Sequence, residues 1–454
     1  MTMNKKTMLS LALSVVMTGS GSVLAAVSAE EAGRLQTQLT PMGAERAGNA
    51  DGTIPSWDGG ITDALPGWPN ANNDRPNPHA DDEVLFTITA ANMADYADKL
   101  TEGTKALLQA YPETFKMNVY PSRRTAAFPE AVYRETANNA LTAQLSNEGR
   151  TLTGAWAGIP FPIPQNGLEV IWNHLARYQG MSYKAEINEN QVFNSGDRQD
   201  WFSSIQAVNP YYDLSVSEAD RADGILQKGV VTVHKPSRDS GEGYLVLDHT
   251  DLARNPRKAW TYDPGERRVR RAPNLAFDTP DRALNVYDDL FLYLGSPERY
   301  DWKLIGKKEI YIPYNNNRLN SPNNRLEDVT HNDYINAELI RYELHRVWVV
   351  EATVKEGQRH LYQKRVKYLD EDTWNVIASD RYDGNGNLWR VGFNYPVVAS
   401  EIPLTGVGFF ASADLKKNGY YVMNLVAGGK GFEFNGKAPG DAYFSPAGLR
   451  RRGR

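Results

Sequence analysis

The chain has 454 residues, with 50 Lys and Arg against 55 Asp and Glu, and no cysteine. A net charge of −5 argues against a general nucleic-acid binder, which carries a basic footprint. The missing thiols exclude disulfides, cysteine–zinc sites, a thiol nucleophile and lipid attachment through cysteine.

Lys5 and Lys6, an apolar run from Met8 to Met17 and the small residues of "VLAA" follow the order of a secretory signal peptide, with cleavage expected near Ala25 or Ala26. The run is too short to cross a bilayer of ~30 Å, and no later stretch approaches ~18 apolar residues, so the chain is not expected to span a membrane. The expected location is the periplasm. Removing the two leader lysines takes the charge to −7.

Ser28 and Glu31 form a capping-box pattern opening a short helix in "AEEAGRLQTQL". From Gly43 to Asp82 the chain is rich in Gly, Asn and Pro without periodicity, and an extended segment wrapping the surface is expected. Thr89 is read as the cap of a helix over about 90–110, Pro129 as the first turn of another reaching Leu145, and "GLEVIWNHLARY" at 167–178 as a fourth helix. Beyond residue 180 strands and turns take over. "DPGE" at 263–266, "KEGQ" at 355–358, "DEDT" at 370–373 and "DGNGN" at 383–387 mark hairpins between long strands. The expected fold is therefore α+β, a large curved antiparallel sheet covered by helices. The division is a leader over 1–25, a helical and extended cover over 26–180, and an incomplete β-barrel over 181–454. An outer-membrane barrel is rejected because "HLYQKRVKYL" places cations on both faces of its strand, which lipid does not accept at mid-depth.

No G-x-S-x-G, H-E-x-x-H, P-loop or dinucleotide motif is present. "DGNGN" lacks the later calcium ligands and reads as a tight turn. His345 and His360 are expected far apart along adjoining strands. His174, on the apolar face of its helix, reads as a hydrogen-bonded core residue, and Asp288 and Asp289 as loop or cap residues. An enzyme with His174 or His345 as base would lack a nucleophile or metal set, so the chain is read as no enzyme, with no cofactor and no metal site. In "RRVRR", Arg267, Arg268, Arg270 and Arg271 fit a solvated sheet edge or, through Arg268 and Arg270, contact with an anionic group. The tail "GLRRRGR" is expected to fray.

"LTPMGAERAGNADGTIPSWDGG", "GIPFPIPQNGLEVIWNH", "KAWTYDPGERRVRRAP", "RYELHRVWVVEA" and "DRYDGNGNLWR" resemble a family of Gram-negative periplasmic proteins known as a domain of unknown function, whose members are often labelled outer-membrane lipoprotein-sorting proteins. The family is similar in fold to the periplasmic lipoprotein carrier and the outer-membrane lipoprotein receptor. The resemblance implies an incomplete barrel with a hydrophobic cavity for acyl chains, and envelope transport beside inner-membrane exporters and outer-membrane proteins. The helical front is extra relative to the simple carriers.

The expected function is a periplasmic carrier or chaperone for a hydrophobic or acylated molecule; the alternative is a non-catalytic adaptor docking to an envelope transporter or outer-membrane protein. Candidate cavity residues, chosen as aromatic or apolar residues on the long strands and on "AWAGIPFPIPQ", are Trp156, Phe161, Ile163, Trp260, Tyr262, Trp348, Trp374 and Trp389. The proline-rich "AWAGIPFPIPQ" is read either as a rigid flap over the cavity or as a plug filling a gap in the core.

Overall fold

The computed structural model describes residues 27–215 and 224–453. The expected leader lies outside the described residues. In the front part, Ser28 accepts from the backbone of Glu31 and completes the capping box of α1 (Ala29–Gly33). Then come β1 (Phe86–Ile88), α2 (Glu102–Ala110), β2 (Met117–Val119), α3 (Glu130–Thr142), the small hairpin β3 (Gln144–Ser146) and β4 (Thr151–Thr153), and α4 (Gly167–Leu175). The helix expected over 90–110 is broken. Leu100 is extended at φ −115° and ψ 145°, and Thr101 caps α2 afresh by accepting from the Thr104 N–H.

Two antiparallel meanders follow. The first comprises β5 (Ser182–Phe193), β6 (Arg198–Val208), β7 (Ile225–Lys235), β8 (Gly243–His249), β9 (Lys258–Asp263) and β10 (Arg268–Arg271). A two-stranded ladder of β11 (Pro280–Asp281) and β12 (Asn285–Val286) sits in the connection. The second comprises β13 (Tyr300–Pro313), β14 (Tyr342–Val354), β15 (Lys364–Asp370), β16 (Val376–Tyr382), β17 (Leu388–Ala399), β18 (Leu404–Asp414) and β19 (Gly419–Leu425), followed by β20 (Glu433–Phe434). Pairing of β19 with β5 fuses both into one 16-stranded sheet that does not close: its path runs from β1 through β2, β14 to β19 and β5 to β10. Apart from one parallel bridge, Tyr342 to Val119, its pairs are antiparallel. Segment 273–294 lies across one face, here called the inner face, against β9 and β16–β18.

Turns form at "DPGE", "DEDT" and "DGNGN", but the β14–β15 register differs from expectation. Thr353 pairs with Lys364, so the strands do not close around "KEGQ" at 355–358; residues 355–363 loop out instead. His360 and Tyr362 leave the ladder to bond Asp288 at 2.9 Å and Asp289 at 2.7 Å. The tail is also more ordered than expected. Ser445 caps a helix over Pro446–Arg452, and Leu449 is buried against β8 and β9 on the outer face. No helix among the described residues is long and apolar enough to cross a membrane.

Candidate functional site: a chamber on the inner face

Side chains alternate across a strand, so one set from each of β5–β8 faces inward: Ile187 and Glu189, Ser203 and Ile205, Gly229, Val231 and Val233, and Tyr244, Val246 and Asp248. Leu275, Leu290, Phe291 and Leu294 of the covering segment form the roof. Phe291 sits at φ +52°, a region that side-chain-bearing residues rarely adopt, directly after the extended Leu290. Between floor and roof is a cavity of about 110 Å³. It stays open partly because Gly229 has no side chain; a Cβ there would meet nothing within 4 Å.

Both ends are polar. At one, Arg282 pairs with Glu189 at 3.0 Å and lies 4.1 Å over the Trp201 ring. Tyr421 donates to either Glu189 (3.2 Å) or Asp281 (3.0 Å). Burial, then the neighbouring Asp281, push the Glu189 carboxyl up to about 7 against the pull of Arg282. At the other end Arg257 grips Asp248 through two bonds of 2.6 and 2.9 Å and donates to the Leu275 carbonyl. Past this pair lies a second, smaller space of about 40 Å³ that includes Arg177 and Gln179 in its wall.

The inner face of β15–β18 is filled instead of hollow. Asp288 bonds His360 and Arg365, at 2.9 and 2.7 Å, and Asp289 meets Arg381 and the Tyr362 hydroxyl at 2.7 Å each. Lys367 donates to the Leu292 carbonyl and to Ser379, and Arg390 binds Asp414 at 2.9 Å. Burial alone would raise both aspartates, but Arg365 and His360 hold Asp288, and Arg381, Arg365 and Lys367 hold Asp289, below the usual carboxylate range. Asp288 and Asp289 lie in a short 3-10 stretch, Tyr287–Leu292, where both reach Arg365, and their full burial in an ion network departs from the loop or cap role read from sequence. Of the cations of "HLYQKRVKYL", His360, Arg365 and Lys367 belong to the same network, with Arg365 and Lys367 turned into the protein and wholly buried, while Lys364 stays at the surface beside Glu351.

A separate buried cluster surrounds the "DEDT" turn. The His345 ring stacks on Tyr314 at 4.0 Å and bonds Glu343 at 3.0 Å, while Arg124 forms a two-point pair with Asp372 at 2.6 and 3.0 Å. Ligand atoms of His345, Asp370 and Asp372 lie within 4.8 Å of one another. This donor set could take a divalent metal, provided Arg124 released Asp372. His174 is a core histidine: its Nδ1 accepts from the Val376 N–H at 3.0 Å and its Nε2 lies 3.0 Å from the Tyr293 carbonyl. Burial, then Arg177, hold its pKa well below the ordinary value, so the ring is neutral.

The residues singled out from sequence are not brought together. Phe161 is buried beside Leu145, Leu152 and Trp172, with its backbone N–H and carbonyl both bonded to the Asn173 side chain at 2.8 and 2.7 Å. Ile163 packs toward Leu35, Leu39 and Ala140, and Trp156 lies against Tyr211. "AWAGIPFPIPQ" thus fills a gap around α3 and α4, away from the chamber. Trp260 and Tyr262 stand on the outer face of β9 against Phe444 and Leu449, because the strand period of two turns them away from the inner face. Trp348 and Trp374 stack at 6.1 Å, and Trp374 donates to the Met42 carbonyl. Trp389 donates to Asp414 at 3.0 Å. Arg268 and Arg270 are exposed on edge strand β10, where Arg270 pairs with Glu266. The chamber is walled mainly by aliphatic side chains, so it lies outside the aromatic residues that the sequence singles out. The signal available was the alternation in "GVVTV" and "YLVLD", with its single glycine.

Residues 87–450 match the family model described as Protein of unknown function (DUF1329). The chain belongs to this family. It is 42% identical over 447 residues to the uncharacterised protein PA3922 of Pseudomonas aeruginosa, covering 98% of this chain and 97% of that one. Among solved structures it is similar to a DUF1329 family protein from Desulfovibrio piger (16% identity, 60% of this chain and 92% of that one, TM-score 0.41). It is also similar to an outer membrane lipoprotein-sorting protein domain from Vibrio parahaemolyticus (16% identity, 63% and 98%, TM-score 0.43). A third similar structure is a LolA superfamily protein from Nitrosomonas europaea (11% identity, 62% and 98%, TM-score 0.37).

Proposed function

We propose that this DUF1329 protein is a periplasmic carrier or chaperone that holds a hydrophobic or acylated molecule in the chamber between β5–β8 and segment 273–294. The observation that carries the reading is the chamber itself: an unfilled space floored by Ile187, Ile205, Val231 and Val246 and roofed by Leu290 and Phe291. Apolar surface moved from water into such a space contributes ~25 cal/mol per Å². At about 110 Å³ the chamber is somewhat smaller than the ~150 Å³ apolar cavity that takes a benzene ring. A long chain therefore enters by displacing Leu290 and Phe291 from the floor. Binding of this kind needs no bond-making residue, in keeping with the absence of a catalytic motif in the sequence.

Native mass spectrometry of protein purified from the periplasm, followed by organic extraction, tests the proposal. The expected result is an added mass that extraction releases as a lipid or acylated compound. A protein that stays free of added mass after incubation with lipids and acylated peptides would overturn it.

A further inference from the structure

Arg177 follows α4 and is buried. Its guanidinium is held by neutral groups alone: the His174 carbonyl at 2.6 Å, Asn375 Oδ1 at 2.9 Å and Gln179 Oε1 at 3.4 Å. No carboxylate among the described residues pairs with it. The contrast with Arg257 is direct, since that guanidinium carries Asp248 on two of its nitrogens. A buried charge without a counter-ion costs several kcal/mol, and the C-terminus of α4 offset it by at most about half a charge. Burial pulls the Arg177 pKa down to about 10, still far above neutrality, so the cation persists.

Arg177 also faces open space. It lines the 40 Å³ space, which shares Gln227, Asp248, Arg257 and Leu294 with the wall of the apolar chamber. Phe291 of the chamber roof lies 5.6 Å beneath the guanidinium. The opposite end of the chamber carries two carboxyls, Glu189 and Asp281, against one cation, Arg282, which is already paired with Glu189 and is therefore not free for an anion. Only about two or three water-sized groups fit beside Arg177, which suits a planar carboxylate better than a phosphate with its substituents.

We infer that the ligand is an amphiphile whose carboxylate lies against Arg177 and whose apolar chain passes the Asp248–Arg257 pair into the chamber. This rests on the carrier reading above and adds the chemical class of the head group.

Isothermal titration of the full chain near neutral pH with octanoate, 1-octanol and octyl phosphate separates the two ideas. Octanoate is expected to bind at least about tenfold tighter than octanol, the margin of one charge-assisted hydrogen bond. Arg177→Gln is expected to bring octanoate down to the affinity of octanol for the wild type. Should that variant fail to fold, the octanoate-to-octanol ratio of the wild type decides alone. Equal affinity for octanoate and octanol would overturn the carboxylate head while leaving the carrier standing. Tighter binding of octyl phosphate than octanoate would overturn the carboxylate in favour of a phosphate. Binding of none of the three would sink both readings.

Discussion

One sheet carries two opposite solutions on its inner face. Over β15–β18 the inward side chains are long and charged, and the space beneath segment 273–294 is filled by paired Asp288, Asp289, Arg365 and Arg381. Over β5–β8 the inward side chains include Gly229, Ser203 and valines, and the same segment bridges a void. Both regions lie under one connected stretch of chain, so the difference comes from side-chain size and charge, not from backbone architecture. The filled half anchors the roof; the hollow half leaves it something to cover.

The largest effect should come from breaking the anchor. Asp289→Ala leaves Arg381 and Arg365 without a shared carboxylate, and loss of one partner from a buried pair costs about 3–5 kcal/mol. Urea unfolding measures it; a loss below ~1 kcal/mol would show that the ions do not hold this half together.

A smaller effect comes from the rim of the chamber. Glu189, facing Asp281, Arg282, Tyr244 and Tyr421, has its carboxyl raised from 4.5 to about 7. Between those values the folded chain keeps a proton that the unfolded chain has released, so stability falls as pH rises through this window, and the loss is complete above it. Its size is about 1–3 kcal/mol. Glu189→Gln should flatten this part of a stability–pH curve recorded by chemical denaturation, leaving the slope of the same sign from Asp370, which is also raised to about 7. An unchanged curve would place the Glu189 titration elsewhere.

The smallest stability change comes from making the hollow half resemble the filled one. Gly229→Ala, with free space around the new methyl, should stabilise the protein by about 0.4–1 kcal/mol through the unfolded chain. Gly229→Leu should fold and lose the extractable ligand. Retention of ligand by that variant would move the binding site away from the chamber.

Much of the architecture was legible because it is written in local signals. The capping box at Ser28 and the "DPGE" turn act over a few residues, and each is found where the sequence puts it. The misreadings arose where distant residues decide. "HLYQ" alternates like a strand, yet Asp288 and Asp289, more than 70 residues away, pull His360 and Tyr362 out of the ladder. Leu449 turns the tail into a buried helix only because β8 and β9 offer it an apolar surface. The chamber was the least visible feature. A cavity consists of what is absent, and its walls are ordinary valines and isoleucines whose facing depends on a roof contributed by the 273–294 connection.

The pairing of β19 with β5 imposes an order in time. Residues within each meander find partners close by in sequence, but Gly419 must meet Phe193 before the two become one sheet. Such distant contacts form slowly, because the intervening chain must first be gathered in. A chain emerging from its N-terminus can assemble β5–β10 early and still expose one unpaired side of β5 until nearly the last strand arrives. That waiting edge is where a nascent copy is most open to pairing with the wrong strand, and where a folding helper would have the most to protect.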